Sequence, residues 1–165
     1  MTHRFSGLLR GLLLLAALAP TRWAAAGDDH PGLTEADQAY SSGDFERAAA
    51  LYRRDAELGI VAAQLNLAFL FLDGQGVPAD PTQAVLWFRR AAEQGNPEAQ
   101  QNLGTLYREG RGVERSVVEA AKWYRLAGAQ TDAAAVEKAL TPEQKAEVTR
   151  LVADWKSRSG APGRH

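Results

Sequence analysis

Gly74-Gln75-Gly76-Val77, followed by the polar run Asp80-Pro81-Thr82, has the outline of a loop that cradles a phosphate. Such a loop needs a strand running into the glycines and a helix directly after them. It also needs a Lys-Ser/Thr pair or a ribose-binding acid downstream. Here the residues before Gly74 carry helical periodicity, Pro78 interrupts the chain after Val77, and no Gly-Lys-Ser/Thr occurs anywhere. The second chemistry to weigh is hydrolysis by paired carboxylates, for which Glu93, Glu98, Glu109, Glu114 and Glu119 are available. All five fall where solvated helix surface is expected, and nothing marks an apolar pocket that would raise a carboxyl pKa. Trp87 and Trp123 offer flat rings for sugar stacking, but both lie on apolar helical stripes, where core packing is the expected role.

Composition closes further routes. The chain has no cysteine, so disulfides, thiolate nucleophiles and Cys-ligated metals are excluded. Its histidines, His3, His30 and His165, lie at or near the chain ends, which makes a zinc site or a buried histidine base hard to build. No Ser-x-x-Lys or other serine-nucleophile constellation is present. No catalytic residue, cofactor or metal site is therefore predicted. With 19 Lys+Arg against 20 Asp+Glu, nothing suggests a basic nucleic-acid surface. A length of 165 residues gives room for one domain with a working core.

The first 26 residues read as a secretory signal peptide. Arg4 and Arg10 precede an apolar run from Gly11 to Ala19, and Ala24-Ala25-Ala26 fits a cleavage site. The run is too short to span a bilayer, so no stable membrane span is expected after cleavage. Beyond residue 26 the chain would carry 16 basic and 20 acidic residues, a net charge of −4.

The elements that must position any site emerge from an internal repeat. Residues 63–94 align without a gap on residues 99–130, at an offset of 36, with 13 of 32 positions identical. The matches include Leu67/Leu103, Gly74/Gly110, Gly76/Gly112, Val77/Val113, Ala84/Ala120 and Trp87/Trp123. The register continues backwards through Ala48, Tyr52 and Ala56, and forwards to Ala135 before it fades. Each unit divides into two helical patterns: Ala99, Leu103, Leu106 and Tyr107 recur at helical spacing, as do Ala120, Trp123, Tyr124 and Ala127. Neither helix can bury its stripe alone, so stacked pairs must share a core. Gly74 and Gly110 are then helix ends requiring left-handed backbone, Gly76 and Gly112 let the chain swing back, and Val77 and Val113 plug the turn into the core.

The strings Ala63-x3-Leu67-Ala68-x2-Phe71-x2-Gly74-x-Gly76-Val77 and Ala84-x2-Trp87-Phe88-x2-Ala91, repeated 36 residues later, resemble the Sel1-like repeat family, relatives of the tetratricopeptide repeats. The resemblance covers residues 60–130 and departs at Thr131, where glycine is expected, and at Ser116-Val117, which replaces Asp80-Pro81 at a helix start. It implies an all-α fold: a short right-handed α-solenoid of antiparallel helix pairs with a C-terminal capping helix. The solenoid is placed at residues 34–158, after a linker at 27–33 and before a flexible tail at 159–165. The cap is expected at 142–157. There Thr141 is the N-cap, Pro142 the first helical residue and Gln144 the capping-box partner, and Val148, Leu151, Val152 and Trp155 form one apolar face.

One helix departs from pure architecture. Residues 61–73 carry the packing stripe Ala63, Leu67, Leu70, Phe71 and a second apolar stripe, Leu65, Phe69, Leu72. The counterparts of the second stripe are the polar Gln101, Thr105 and Arg108. In tetratricopeptide-like arrays the first helix of each pair lines the concave groove. The resemblance thus implies a groove apolar at its centre and polar toward its C-terminal side, with Tyr40 contributed by the first unit. Leu65, Phe69 and Leu72 would anchor a protein or peptide partner. Alternatively, helix 34–42 or the N-terminal segment covers them, since a helix apolar all round is usually buried. The function expected is that of an exported scaffold in the bacterial envelope, periplasmic or secreted, without bond-making chemistry. The competing reading is a peptidoglycan- or carbohydrate-associated, cell-wall protein with weak hydrolytic activity.

Overall fold

The computed structural model describes residues 31–159, so the expected signal peptide and all but the first residue of the expected tail lie outside the described residues. Those residues form eight helices and no strand: α1 Pro31–Ser41, α2 Phe45–Glu57, α3 Val61–Asp73, α4 Pro81–Glu93, α5 Pro97–Glu109, α6 Val117–Leu126, α7 Gln130–Glu137 and α8 Pro142–Ser159. Each helix from α1 to α7 packs on its neighbour in sequence, and α8 packs back on α6. That is solenoid stacking, with α1/α2, α3/α4 and α5/α6 as successive A/B pairs.

Capping decides where the helices begin. The side chains of Asp44, Asp80, Asn96 and Ser116 accept from the first-turn amides of α2, α4, α5 and α6. Ser116 thus performs the job of Asp80 despite the missing proline. α1, described from Pro31 onward, takes up part of the stretch read as a linker. The stripe Leu33, Ala36, Ala39 is buried.

The glycine motif has two roles. Gly74 and Gly110 both sit at φ 68 as C-caps, closing α3 and α5. Gly76 and Gly112 do more than reverse the chain. A Cβ on Gly76 would lie 2.0 Å from the Phe45 carbonyl oxygen, and one on Gly112 would lie 2.3 Å from that of Pro81. Phe45 and Pro81 are the first residues of α2 and α4, so each loop rests on the preceding unit's B helix. Gln64 and Gln100, both buried, tie consecutive units by donating to the carbonyls of Ala56 and Ala92 at 3.2 and 3.1 Å.

At the C-terminal end the repeat fades into the short α7, whose Ala133 and Val136 are buried. α8 opens on a reciprocal capping box: the Thr141 amide donates to Gln144 Oε1 at 3.0 Å, and the Gln144 amide donates to Thr141 Oγ1 at 3.3 Å. Val148 is fully buried, while Leu151, Val152 and Trp155 are half-buried.

A candidate protein-binding face

α3 is apolar on nearly all sides because two surfaces of different kind share it. Ala63, Leu67, Leu70 and Phe71 are buried between α2 and α4. Leu65, Phe69 and Leu72 are half-buried, their inner edges packed on the core. They are neither wholly core nor wholly exposed. Phe69 stands edge-on to Phe88, with ring centroids 5.0 Å apart and planes at 86°. α1, one of the covers considered above, packs chiefly on α2; the other, the N-terminal segment, lies outside the described residues.

The polarity of this face is set from behind. Tyr52, Phe88 and Tyr124 occupy one B-helix position at intervals of 36, and all are buried. The Tyr52 hydroxyl donates to Asp37 Oδ1 at 2.5 Å, the Phe88 ring meets Phe69, and the Tyr124 hydroxyl lies 3.0 Å from Thr105 Oγ1. Polar thus meets polar in the outer units and apolar meets apolar in the middle one. Burial, then the bond to the Asp37 carboxylate, raises the Tyr52 pKa well above the usual tyrosine range. Reading the sequence by helical stripes missed Asp37, Phe88 and Tyr124 as partners of this face. Their signal was available in the matched alternation of Tyr/Phe/Tyr with Asp/Phe/Thr.

The loops join the A helices into one surface. Tyr40, on α1, donates to Gln75 Oε1 at 3.3 Å and packs edge-on to Phe45 at 5.2 Å. Burial, then nearby Asp73, raises its pKa. Arg111, the counterpart of Gln75, reaches back to the Leu72 carbonyl at 3.0 Å. The residue between the two glycines therefore bridges to the C-terminal end of the preceding A helix in both units. Neither Gln75 nor Arg111 was among the residues singled out by sequence. On α5, Gln101 donates to Asp132 at 3.1 Å, and Arg108 pairs with Glu109 at 3.2 Å. The structure thus brings Tyr40, Leu65, Phe69, Leu72, Gln101, Thr105 and Arg108 onto linked A helices, apolar on α3 and polar on α5.

Elsewhere the arrangement is structural. Trp87 and Trp123 are buried, and Arg90 and Lys122 lie over their rings at 4.4 and 4.3 Å. Glu93, Glu109 and Glu114 are exposed as expected, whereas Glu98 and Glu119 are half-buried, Glu119 beside Lys122 at 2.5 Å. Among the described residues no group of three or more His, Cys, Asp or Glu side chains could hold a metal ion. An open pocket of about 400 Å³ between α6, α7 and α8 is lined by Arg125, Glu137, Val152 and Lys156 among others. Its Arg125 is engaged by Glu137 at 2.6 Å and by Thr149 at 3.0 Å.

Comparison with known proteins agrees with this architecture. The model of the Sel1 repeat matches twice, at residues 61–96 and 97–132. Among solved structures, the chain is similar to a protective antigen present in uropathogenic Escherichia coli strains that displays an SLR fold. The identity is 31% and the TM-score 0.74, over 81% of this chain and 31% of the antigen. It is also similar to a Sel1 repeat protein from Oxalobacter formigenes, at 26% identity and a TM-score of 0.55, over 78% of this chain and 54% of that one. The chain therefore spans about a third of the first relative's length and about half of the second's. No curated protein matches the sequence. With two matched repeats inside a stack of paired helices, the chain is a Sel1-repeat protein, an α-solenoid of the Sel1-like kind.

Proposed function

We propose that this protein is an exported scaffold that binds another protein or peptide along its A-helix face, on the side where α3 presents Leu65, Phe69 and Leu72. Repeats of this family suit protein interaction, because stacked A helices offer an extended surface without requiring a catalytic cleft. The observation that carries the reading is the half-buried apolar stripe on α3, placed where the next unit has Gln101, Thr105 and Arg108. Apolar side chains at i, i+4 and i+7 suit a partner helix laid along the face. Export to the envelope is supported by the leader-like residues 1–26. The wall-associated alternative has thinner support, since the rings of Trp87 and Trp123 are buried.

Site-specific photocrosslinking in the native host tests the proposal. A benzophenone side chain at position 65 or 72 should trap one defined partner, and one at exposed Leu86 should not. Trapping of the same species from all three positions, or from position 86 alone, would overturn it.

A further inference from the structure

The side chains along the A-helix face divide by whether the protein itself satisfies them. The polar groups on α5 are largely paired internally: Gln101 with Asp132, Thr105 with Tyr124, Arg108 with Glu109. Leu65 and Leu72 keep part of their apolar surface in water. Arg111 is exposed and differs from its polar neighbours. The one hydrogen bond of its side chain among the described residues goes to the Leu72 carbonyl at 3.0 Å, and no described carboxylate lies within ion-pair distance. That carbonyl belongs to the last turn of α3, where a cation is favoured and held in place. A guanidinium with donors to spare thus stands at the end of the apolar stripe. Of the acids on the same edge, Glu109 is engaged by Arg108 and Asp73 lies close to Tyr40.

We propose that the α3 face takes a short amphipathic helix whose apolar side chains rest on Leu65 and Leu72 and whose acidic side chain pairs with Arg111. This rests on the reading of the A-helix face as a binding surface and adds the chemistry of its partner. Leu65 and Leu72 are seven residues apart on one helix, about 10 Å, which two turns of a partner helix match. The carboxylate belongs to a side chain within a continuous segment, because Asp73 and Gly74, just past Leu72, are exposed and leave room for a chain to continue. Charge complementarity selects an acid even though the whole chain has a formal net charge of −1. Bulk attraction would favour a basic peptide, so a preference for an acidic one must come from a local cation.

The test uses two acetylated, amidated, fluorescein-labelled helical peptides with leucine at i, i+4 and i+7, one flanked by glutamates and one by lysines. Binding to the full chain is followed by anisotropy, with thermal melting of every variant as the control for folding. The glutamate peptide should bind more tightly than the lysine peptide. Arg111→Glu should weaken the glutamate peptide by about fivefold or more, the range of an exposed ion pair with repulsion added, and Arg111→Lys should restore most of the loss. Leu65→Gln/Leu72→Gln should weaken both peptides. Tighter binding of the lysine peptide, or indifference of the glutamate peptide to Arg111→Glu, overturns the acidic-partner inference while leaving the face reading intact. Indifference of both peptides to Leu65→Gln/Leu72→Gln overturns the face reading itself. Failure of both peptides to bind overturns the inference.

Discussion

Phe69 is held from behind by Phe88, and that pairing changes what a substitution there reports. An acid at position 69 would bring a charge against the buried Phe88 ring and lower stability whether or not a partner binds. The informative change borrows the next unit's solution, in which Thr105 faces Tyr124. Phe69→Thr alone should cost about 2 kcal/mol, part of the value for truncating a fully buried phenylalanine. Phe88→Tyr alone should cost about 1–3 kcal/mol, because its hydroxyl is buried against an aromatic edge. The double variant should lose at least about 1 kcal/mol less than the sum, a coupling expected of contacting residues. Denaturant melts of the four proteins give this cycle directly, and additivity would show that the two faces are set independently. Tyr52 makes a second prediction at this scale. Its pKa is raised in the folded chain, so its contribution to stability is complete below about pH 10, the unfolded tyrosine value. That contribution declines as pH rises further, since the unfolded chain then releases the proton first. Urea midpoints measured from pH 8 to 11 should fall more steeply for the native chain than for Tyr52→Phe.

At the scale of the element, the glycine pair shows what a sequence discloses and what it hides. Duplication at 36 residues, each time directly after a helical pattern, identifies Gly74 and Gly110 as helix ends without any coordinates. The left-handed backbone found there follows from ordinary capping. The contact of Gly76 with the start of α2 was not legible, because it joins segments whose spacing is fixed only when units stack. The same holds for Gln75 and Arg111, whose reach to the preceding A helix depends on that stacking. The α8 cap was legible down to its residues, since Thr141 and Gln144 interact within a single turn. Local signals survive in sequence, whereas contacts between units do not. This distinction predicts unequal costs for the same substitution. Gly95→Ala places a methyl in open space and pays only for positive φ, about 1–2 kcal/mol. Gly76→Ala adds a backbone collision with Phe45 and should cost at least about 2 kcal/mol more. Equal melting temperatures for the two variants would show that the loop does not need its close approach to α2.

The whole molecule is a stack whose parts touch mainly their neighbours, so its stability should be graded along the axis. The C-terminal end depends on α8, which closes the array by packing on α6. Val148 is the one fully buried side chain in α8, and Arg125 of α6 reaches both Glu137 of α7 and Thr149 of α8. Undocking α8 would therefore uncover α6 and remove one of the two bonds that hold Arg125, while leaving the contacts of α1, α2 and α3 untouched. Val148→Asp should undock it, because a carboxylate buried there without a partner costs several kcal/mol. Hydrogen exchange of the full chain offers the readout, since local opening and global unfolding leave different patterns of protection. In the variant, amides of α6, α7 and α8 should lose protection first, α5 partially, and α2 and α3 least. The A-helix face would then persist at Leu65 and Leu72 while its polar border on α5 loosened. Equal loss of protection in every helix would instead mean that the array folds as one cooperative block, and that the cap stabilises the binding face as strongly as it stabilises its own end.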